Sequence, residues 1–451
     1  MSTLRSLLLG LVVGVGVAHA APTPGEIRAD DVIGRPGGTL TLKAKLERTG
    51  VMGINPDVEE EPLDYYLLAV DGEALEEAKF LGSGETNDDG VATLEWTAEK
   101  PGRYQLEVRL RQGSEYVGLP GPLTVAVPAP DRTVVLVQLD ETVSTATSLQ
   151  MFRGTANTEI PAVDGAKPIL EALATHYQLV YLTDLDASFT SKFKAWLELR
   201  DMPPAPVVFW DLFEDSLSHA TYMDKLVAKL VKDVPQVRVG IGGQLSDAKA
   251  FVKHGLAGIV LADEVDADER QPEEIWARQW VECLGHVVQI HRCEKLLQTM
   301  VHGSAAESAE ALRTMTLMGS AGFGYVHRFR TDTDVNLATA ATLVAAQLQA
   351  SDAFFKSLDL STANAALSSL LAAWRDGDRA VTVRFYRERK AGLAEPLPVF
   401  QRAEIVNRSE PAPAKVVFRV RLIPEQGEPF EKELVFVESG DVWLLDVQRG
   451  F

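Results

Sequence analysis

TVVLVQLDETVS, residues Thr133 to Ser144, climbs through a continuous apolar run into an acidic turn. A strand that is apolar at every position suits a parallel sheet covered on both faces, because neither face then meets water. The same rhythm continues downstream. GAKPILEALATHY (Gly165 to Tyr177) has helical spacing, QLVYLTD (Gln178 to Asp184) is a second buried strand, and FTSKFKAWLELR (Phe189 to Arg200) is a helix. PVVFW (Pro206 to Trp210), TYMDKLVAKLVKDV (Thr221 to Val234), VRVGIG (Val237 to Gly242), SDAKAFVKHG (Ser246 to Gly255) and LAGIVLAD (Leu256 to Asp263) repeat strand and helix in turn. This alternation predicts a doubly wound α/β domain over residues 131–265. Ligands of such sheets bind at the carboxyl ends of the strands, here Gln138 to Thr142, Thr183, Trp210-Asp211 and Gly240 to Asp247.

The order and spacing of those strand ends resemble the haloacid-dehalogenase-like superfamily, and most of all its lipin and phosphatidate-phosphatase branch. The first motif of that family closes a strand as D-x-D-x-T. Here Gln138 stands at the nucleophile position, Asp140 at the general-acid position and Thr142 at the threonine. Thr183 in VYLTD matches the second motif, and Lys225 is the candidate for the third-motif lysine. The fourth motif falls on Gly240 to Gln244, Asp247, Phe251 and Gly255. The family's nucleophile is a carboxylate that attacks phosphorus and helps to hold Mg²⁺, a hard cation that takes oxygen ligands. Gln138 is neutral, and Gly243 replaces the Asn or Asp expected beside the metal. The resemblance therefore implies a degenerate phosphatase-like domain, with Gln138, Asp140, Thr142, Thr183, Lys225 and Asp247 as vestigial site residues. Asp140 and Asp247 remain candidate metal ligands, and Asp184, Asp186 and Asp211 lie close enough to strand ends to join them. Asp140 capping the turn after its strand, and Asp247 capping a helix with Ser246, are equally good structural readings.

On the amino-terminal side, residues 26–127 read as a β-sandwich. TLTLKAKLE (Thr39 to Glu47), DYYLLAVDG (Asp64 to Gly72), TNDDGVATLEW (Thr86 to Trp96), PGRYQLEVRL (Pro101 to Leu110) and LTVAV (Leu123 to Val127) are short strands separated by turn residues. Thr86 to Leu94, T-x-x-x-G-x-A-x-L, and Pro101 to Leu106, P-G-x-Y-x-L, resemble the turn-and-strand patterns of bacterial immunoglobulin-like domains. Asp88 and Asp89 read as a solvated turn. On the carboxyl-terminal side, residues 273–358 are predicted to be a helical segment, in which Gly319 to Phe329 reads as a turn without the lysine of a phosphate loop. His286, His291, His302 and His327 have no acids or thiols at fixed helical offsets and read as packing or surface residues. Residues 361–451 form a helix followed by alternating strands, similar to the nuclear-transport-factor-2-like fold, a small α+β domain.

The fold expected is therefore multidomain: N-terminal β-sandwich, central doubly wound α/β domain, helical segment and C-terminal small α+β domain. Residues 1–20 combine an early arginine, an apolar run from Leu7 to Val17 and small residues at Ala18 and Ala20, the layout of a secretory signal peptide. Export to the periplasm or outside the cell is the expected location. The chain has 451 residues and a formal net charge of −20, which opposes a broad nucleic-acid-binding surface and leaves room only for a local basic pocket. Cys283 and Cys293 stand ten residues apart in a predicted helix, about 15 Å at 1.5 Å per residue. Disulfide α-carbons lie within roughly 7 Å. Two separate buried thiols are expected, or else a hairpin turning near Gly285 and His286 and stapled by the bond.

The function expected is non-catalytic: binding of a protein or a small anionic ligand, or a structural role, with no cofactor. The alternative is a Mg²⁺-dependent phosphoesterase acting on a phosphomonoester or a phosphatidate-like substrate, with Asp140 or Asp184 in the missing role.

Overall fold

The computed structural model describes residues 23–48, 55–145, 150, 155–210, 218–262, 271, 273–319, 321–358, 360–387 and 397–450. Residues 1–20, expected to be a secretory leader, Asp211 and most of the acidic run from residue 263 lie outside them. Up to Val127 the chain forms one compact unit, and from Pro128 onward a second.

The first unit is the expected sandwich. Its strands are Thr23–Ala29 (β1), Val32–Ile33 (β2), Thr39–Arg48 (β3), Pro62–Val70 (β4), Glu73–Glu85 (β5), Val91–Thr97 (β6), Gly102–Leu110 (β7), Tyr116–Val117 (β8) and Gly121–Val127 (β9). One sheet runs β6-β3-β1-β8 and the other β2-β9-β7-β4-β5. Alternating residues of both, among them Leu42, Leu46, Tyr65, Leu106 and Val125, fill a single core. Tyr65 carries its hydroxyl into that core and donates it to Ala92 O at 2.9 Å, which removes the cost of an unpaired buried donor. Asp71 and Gly72 both have positive φ, 53° and 88°, and close the β4–β5 hairpin. Asn87 Oδ1 accepts from Asp89 N and Val91 N, so the acidic turn is organised by the asparagine.

In the second unit, six strands form one all-parallel sheet: Val134–Gln138 (β10), Gln178–Asp186 (β11), Val207–Trp210 (β12), Val237–Gly242 (β13), Ala257–Leu261 (β14) and Ile275–Ala277 (β15), in the order β12-β11-β10-β13-β14-β15. All five residues of β10 are buried, as a central strand covered on both faces must be. The chain builds outward from β10 on one side through β11 and β12, then restarts on the other at β13. The switch point, and hence the crevice for a site, lies between the carboxyl ends of β10 and β13. Helices Ala166–His176 (α1), Thr190–Leu199 (α2), His219–Asp233 (α3) and Leu245–Lys253 (α4) connect the strands. The sequence places the last strand of the sheet at Leu256 to Asp263 and a helical segment from residue 273. Instead residues 275–277 add a sixth strand beside β14, and the helix starts at Trp280.

That helix, Trp280–His302 (α5), is continuous through Gly285. Its Trp280, Cys283, Val287 and Ile290 complete the α/β core, and its Cys293 and Leu297 enter a second core. The second core is shared with Ala305–Thr316 (α6), Ala321–His327 (α7) and Val335–Ser357 (α8). Cys283 and Cys293 are both buried and unpaired, as the continuous helix dictates. The stretch read as a glycine-rich turn is α7 and a following 3₁₀ turn, Arg328–Thr331, because Phe323, Val326 and Phe329 bury one face against α8. The chain ends in helices Ala363–Arg375 (α9) and Arg379–Phe385 (α10), then an antiparallel meander of Arg402–Ala412 (β16), Lys415–Ile423 (β17), Phe430–Ser439 (β18) and Val442–Gly450 (β19). Thr362 and Asp378 cap the two helices, accepting from Ala365 N and Val381 N. Leu367, Leu370 and Trp374 of α9 pack on Phe418, Phe436 and Leu445 of this sheet.

Candidate functional site

Three strands deliver their last residues to one place. Gln138 ends β10 and pairs in register with Leu182, one residue before Thr183. Gly242 ends β13 on the other side of β10. Asp140 follows the strand by two residues and is 8% exposed; Gln138, Thr142, Thr183 and Asp247 are at most 2% exposed. Glu141, with φ 58°, turns the backbone sharply after the acid. Thr142 Oγ1 donates to Asp140 O at 3.2 Å. Trp280 Nε1 at the start of α5 donates to Thr142 O at 3.1 Å, so the helical segment pins the turn from outside the sheet.

Asp140 Oδ2 is the hub. It accepts from Thr183 Oγ1 at 2.7 Å, Asp184 N at 2.9 Å and Gln138 Nε2 at 3.3 Å. On the far side Asp247 divides its carboxylate. Its Oδ2 accepts from Gln244 N at 3.1 Å and closes a capping box at the start of α4. Its Oδ1 meets His219 Nε2 at 2.7 Å. The capping reading of Asp247 is realised through Oδ2, with Gln244 rather than Ser246 as the cap, while Oδ1 pairs with His219. His219 Nδ1 lies 3.4 Å from Asp184 Oδ2, poorly aligned for a hydrogen bond but within ion-pair range. Tyr222, one turn along α3, donates to Thr183 O at 3.2 Å and stacks on Trp210, with ring centroids 4.9 Å apart.

The electrostatics follow from this arrangement. Burial, then the neighbouring charge of Asp184, holds the Asp140 carboxyl well above the usual carboxylate range. Burial also works against ionising Asp184, but the contacts with His219 and Asp140 outweigh it and keep that carboxyl below its usual value. Asp184 and Asp247 together push His219 up to about 10. The cluster therefore holds an imidazolium between Asp184 and Asp247, with burial and Asp184 shifting Asp140 toward its protonated form and His219 shifting Asp184 toward its ionised form.

Sequence reasoning missed His219. It is the first residue of α3 and sits where a cation was expected, whereas Lys225, the candidate lysine, is exposed further along the same helix. Asp184 joins the cluster. Asp186 instead caps a 3₁₀ turn, accepting from Ser188 N at 2.9 Å. Gly243, where the family pattern calls for a metal-proximal side chain, has Thr142 Oγ1 only 2.8 Å from the place a Cβ would take. A Cβ on Gly242 would fall 2.5 Å from Asp247 Oδ2. Both glycines let the β13–α4 turn close tightly onto the acids.

Magnesium needs several free oxygens at about 2.1 Å in an octahedral shell. Here Asp140 Oδ2 is fully used by donors, both Asp247 oxygens are engaged, and an imidazolium stands between the remaining acids. Among the described residues no group of three His, Cys, Asp or Glu side chains is arranged to hold a metal ion. Among the described residues, the donor set as arranged does not fit Mg²⁺. Gln138 Oε1 and Asp184 Oδ1 are buried without partners, but the amide oxygen of Gln138 is neutral and a weaker ligand for Mg²⁺ than the carboxylate it replaces. Elsewhere, His286 spends both ring nitrogens, on Tyr325 Oη at 2.8 Å and Trp276 O at 2.9 Å, so it is a packing residue as expected.

No protein-family model matches the chain, and no curated protein matches it. Solved structures show weak likenesses. A haloacid dehalogenase-like family hydrolase from Streptococcus pneumoniae is 13% identical, with 35% of this chain and 98% of that chain covered and a TM-score of 0.28. The D0-D1 domain of intimin is 18% identical over 23% of this chain, with a TM-score of 0.16, and the match spans 47% of its length. A PKD domain of an M14-like peptidase from a Thermoplasmatales archaeon is 16% identical over 24% of this chain, with a TM-score of 0.15. At scores this low the likenesses carry no weight for function.

Proposed function

We propose that this chain is an exported, multidomain, non-catalytic protein whose α/β domain is a degenerate phosphatase-like module of the lipin-like kind, retained for binding or as a structural element. One observation carries the reading: His219 bridges Asp184 and Asp247, with Nε2 2.7 Å from Asp247 Oδ1. The positive charge that these acids need is supplied from within the chain. Gln138 at the nucleophile position cannot form an acyl phosphate, because an amide oxygen is a poor nucleophile. Export is supported by the leader-like residues 1–20. No helix among the described residues is long and apolar enough to cross a membrane. The partners envisaged are a protein or a small anionic ligand.

The test is hydrolysis of small phosphomonoesters and of phosphatidate by the full chain with Mg²⁺. No turnover above background is expected. Turnover above about 1 per second, abolished by Asp140→Asn, would overturn the reading. The second reading, a Mg²⁺-dependent phosphoesterase, is favoured by one feature. A carboxyl held well above the usual carboxylate range by burial and a neighbouring acid, as Asp140 is, suits a general acid. That reading requires millimolar Mg²⁺ to raise the melting temperature, since ligands of the folded state stabilise it. The first reading expects no shift.

A further inference from the structure

At the opposite, amino-terminal edge of the central sheet lies a cavity of about 260 Å³. Arg132, just before β10, Gln236 and Arg238 at the start of β13, and His291 and Glu294 of α5 line it, with Asp131 at the rim. A narrow crevice shares Arg238, His291 and Glu294 with this cavity and leads to Arg328. Arg328 is 3% exposed and lies over the ring of Phe329, 3.7 Å from its centroid. Its Nη2 donates to Glu294 Oε1 at 3.3 Å, and its Nε is buried with no partner. Gln236 Oε1 is likewise buried and unpartnered. A buried guanidinium with an unmet N–H is costly unless something completes its hydrogen bonds.

The charges point to what that something is. Three guanidinium groups and an imidazole face two lining carboxylates, Asp131 and Glu294; Asp332 also acts on Arg328 from outside the lining. Arg132 is held in place by donating Nη2 to Ala174 O at 2.9 Å and Tyr177 O at 3.2 Å, contacts with neutral carbonyls that leave its charge uncompensated. Arg238 makes no ion pair among the described residues. Burial, then the nearby Arg238, lowers Arg328 to about 9, the direction expected of a cation short of negative charge. This gathering of cations occurs in a chain whose net charge is −20.

We propose that this cavity is an oxyanion-binding site, which takes a phosphate-class group between Arg132 and Arg238 at the end of the sheet away from Asp140, with the buried charge of Arg328 behind Arg238 adding to its pull. Forked guanidinium donors match the oxygens of such a group two at a time. The site is independent of the fate of the Gln138–Asp140 cluster and stands whether or not that cluster is catalytic.

The test is calorimetric titration of the full chain with inorganic phosphate at neutral pH, against chloride at matched ionic strength. Saturable binding is expected. Arg238→Gln, a change at a half-buried side chain, should weaken it about tenfold or more, the equivalent of one lost charged hydrogen bond. Glu294→Gln should tighten it, because a competing carboxylate is removed. Arg328→Met leaves a buried position open to misfolding, so the Arg238 and Glu294 variants decide. Absence of saturable heat, weakening by less than about threefold in Arg238→Gln, or weaker binding in Glu294→Gln would each overturn the proposal.

Discussion

His219 is held as a cation between two carboxylates, one of them fully buried, and that placement fixes how stability varies with pH. Its folded pKa of about 10 lies above the ordinary 6.5. The stabilisation it provides is therefore fully present below pH 6.5 and is lost as pH rises through about 10. Asp184 has the opposite sign: its lowered pKa gives a contribution that is present above the ordinary carboxylate value and lost as pH falls through the folded one. His219→Gln should lower stability at pH 7 by about 3 kcal/mol, because Asp247 is left buried and unpaired. It should also flatten the decline of melting temperature between neutral pH and about pH 10. Thermal melts of both proteins across that range check this, and parallel curves would refute it. The acids of this cluster were readable from the sequence because each ends a strand or opens a helix at a recognisable offset. His219 was not. Its Asp247 partner lies 28 residues away, and nothing local distinguishes a histidine that opens a helix above a crevice from one in solvent.

At the scale of elements, α5 ties the site to the rest of the second unit. Trp280 is 1% exposed and its indole N–H reaches Thr142 O. Trp280→Phe keeps most of the packing and removes the donor, and should cost about 1 kcal/mol. Trp280→Ala should cost about 3 to 5 kcal/mol by opening a cavity. Urea denaturation of the two variants separates the hydrogen bond from the packing. Gly285 makes the complementary case. It lies inside α5, and a Cβ added there meets nothing within 4 Å. Gly285→Ala should raise stability by about 1 kcal/mol, since alanine loses less backbone entropy in a helix. A neutral or destabilising result would mean that the glycine is needed for a contact. The sequence offered Gly285 and His286 as the turn of an alternative hairpin, but burial on both sides of α5 overrides the local preference. The same override makes a helix of Ala321–His327 and a 3₁₀ turn of Arg328–Thr331, where Phe323, Val326 and Phe329 outweigh the glycines. The strand at residues 275–277 was illegible for a different reason. Three residues are too few to show a period, and only the edge of β14 defines them.

Across the molecule, the two cysteines report on how the second unit holds together. Cys283 sits in the α/β core and Cys293 in the helical core, and one unbroken helix carries both. Burial pushes each thiol up to about 12. Since the thiolate is the reactive form, neither should react with an alkylating agent in the folded protein at neutral pH. After denaturation without reductant both should react, because they are unpaired. The informative quantity is the order of exposure along a denaturant series. Exposing Cys283 removes α5 from the sheet and uncovers Val287 and Ile290 as well. Exposing Cys293 separates α5 from Leu337, Val344 and Leu348 of α8. A shared, continuous helix couples these losses, so the two cores should open in one cooperative step. Pulsed alkylation with mass analysis should then show both thiols labelled at the same denaturant midpoint. Labelling of Cys293 at a clearly lower midpoint than Cys283 would show that the helical core opens alone, and that α5 frays beyond Gly285 while its first turns stay on the sheet.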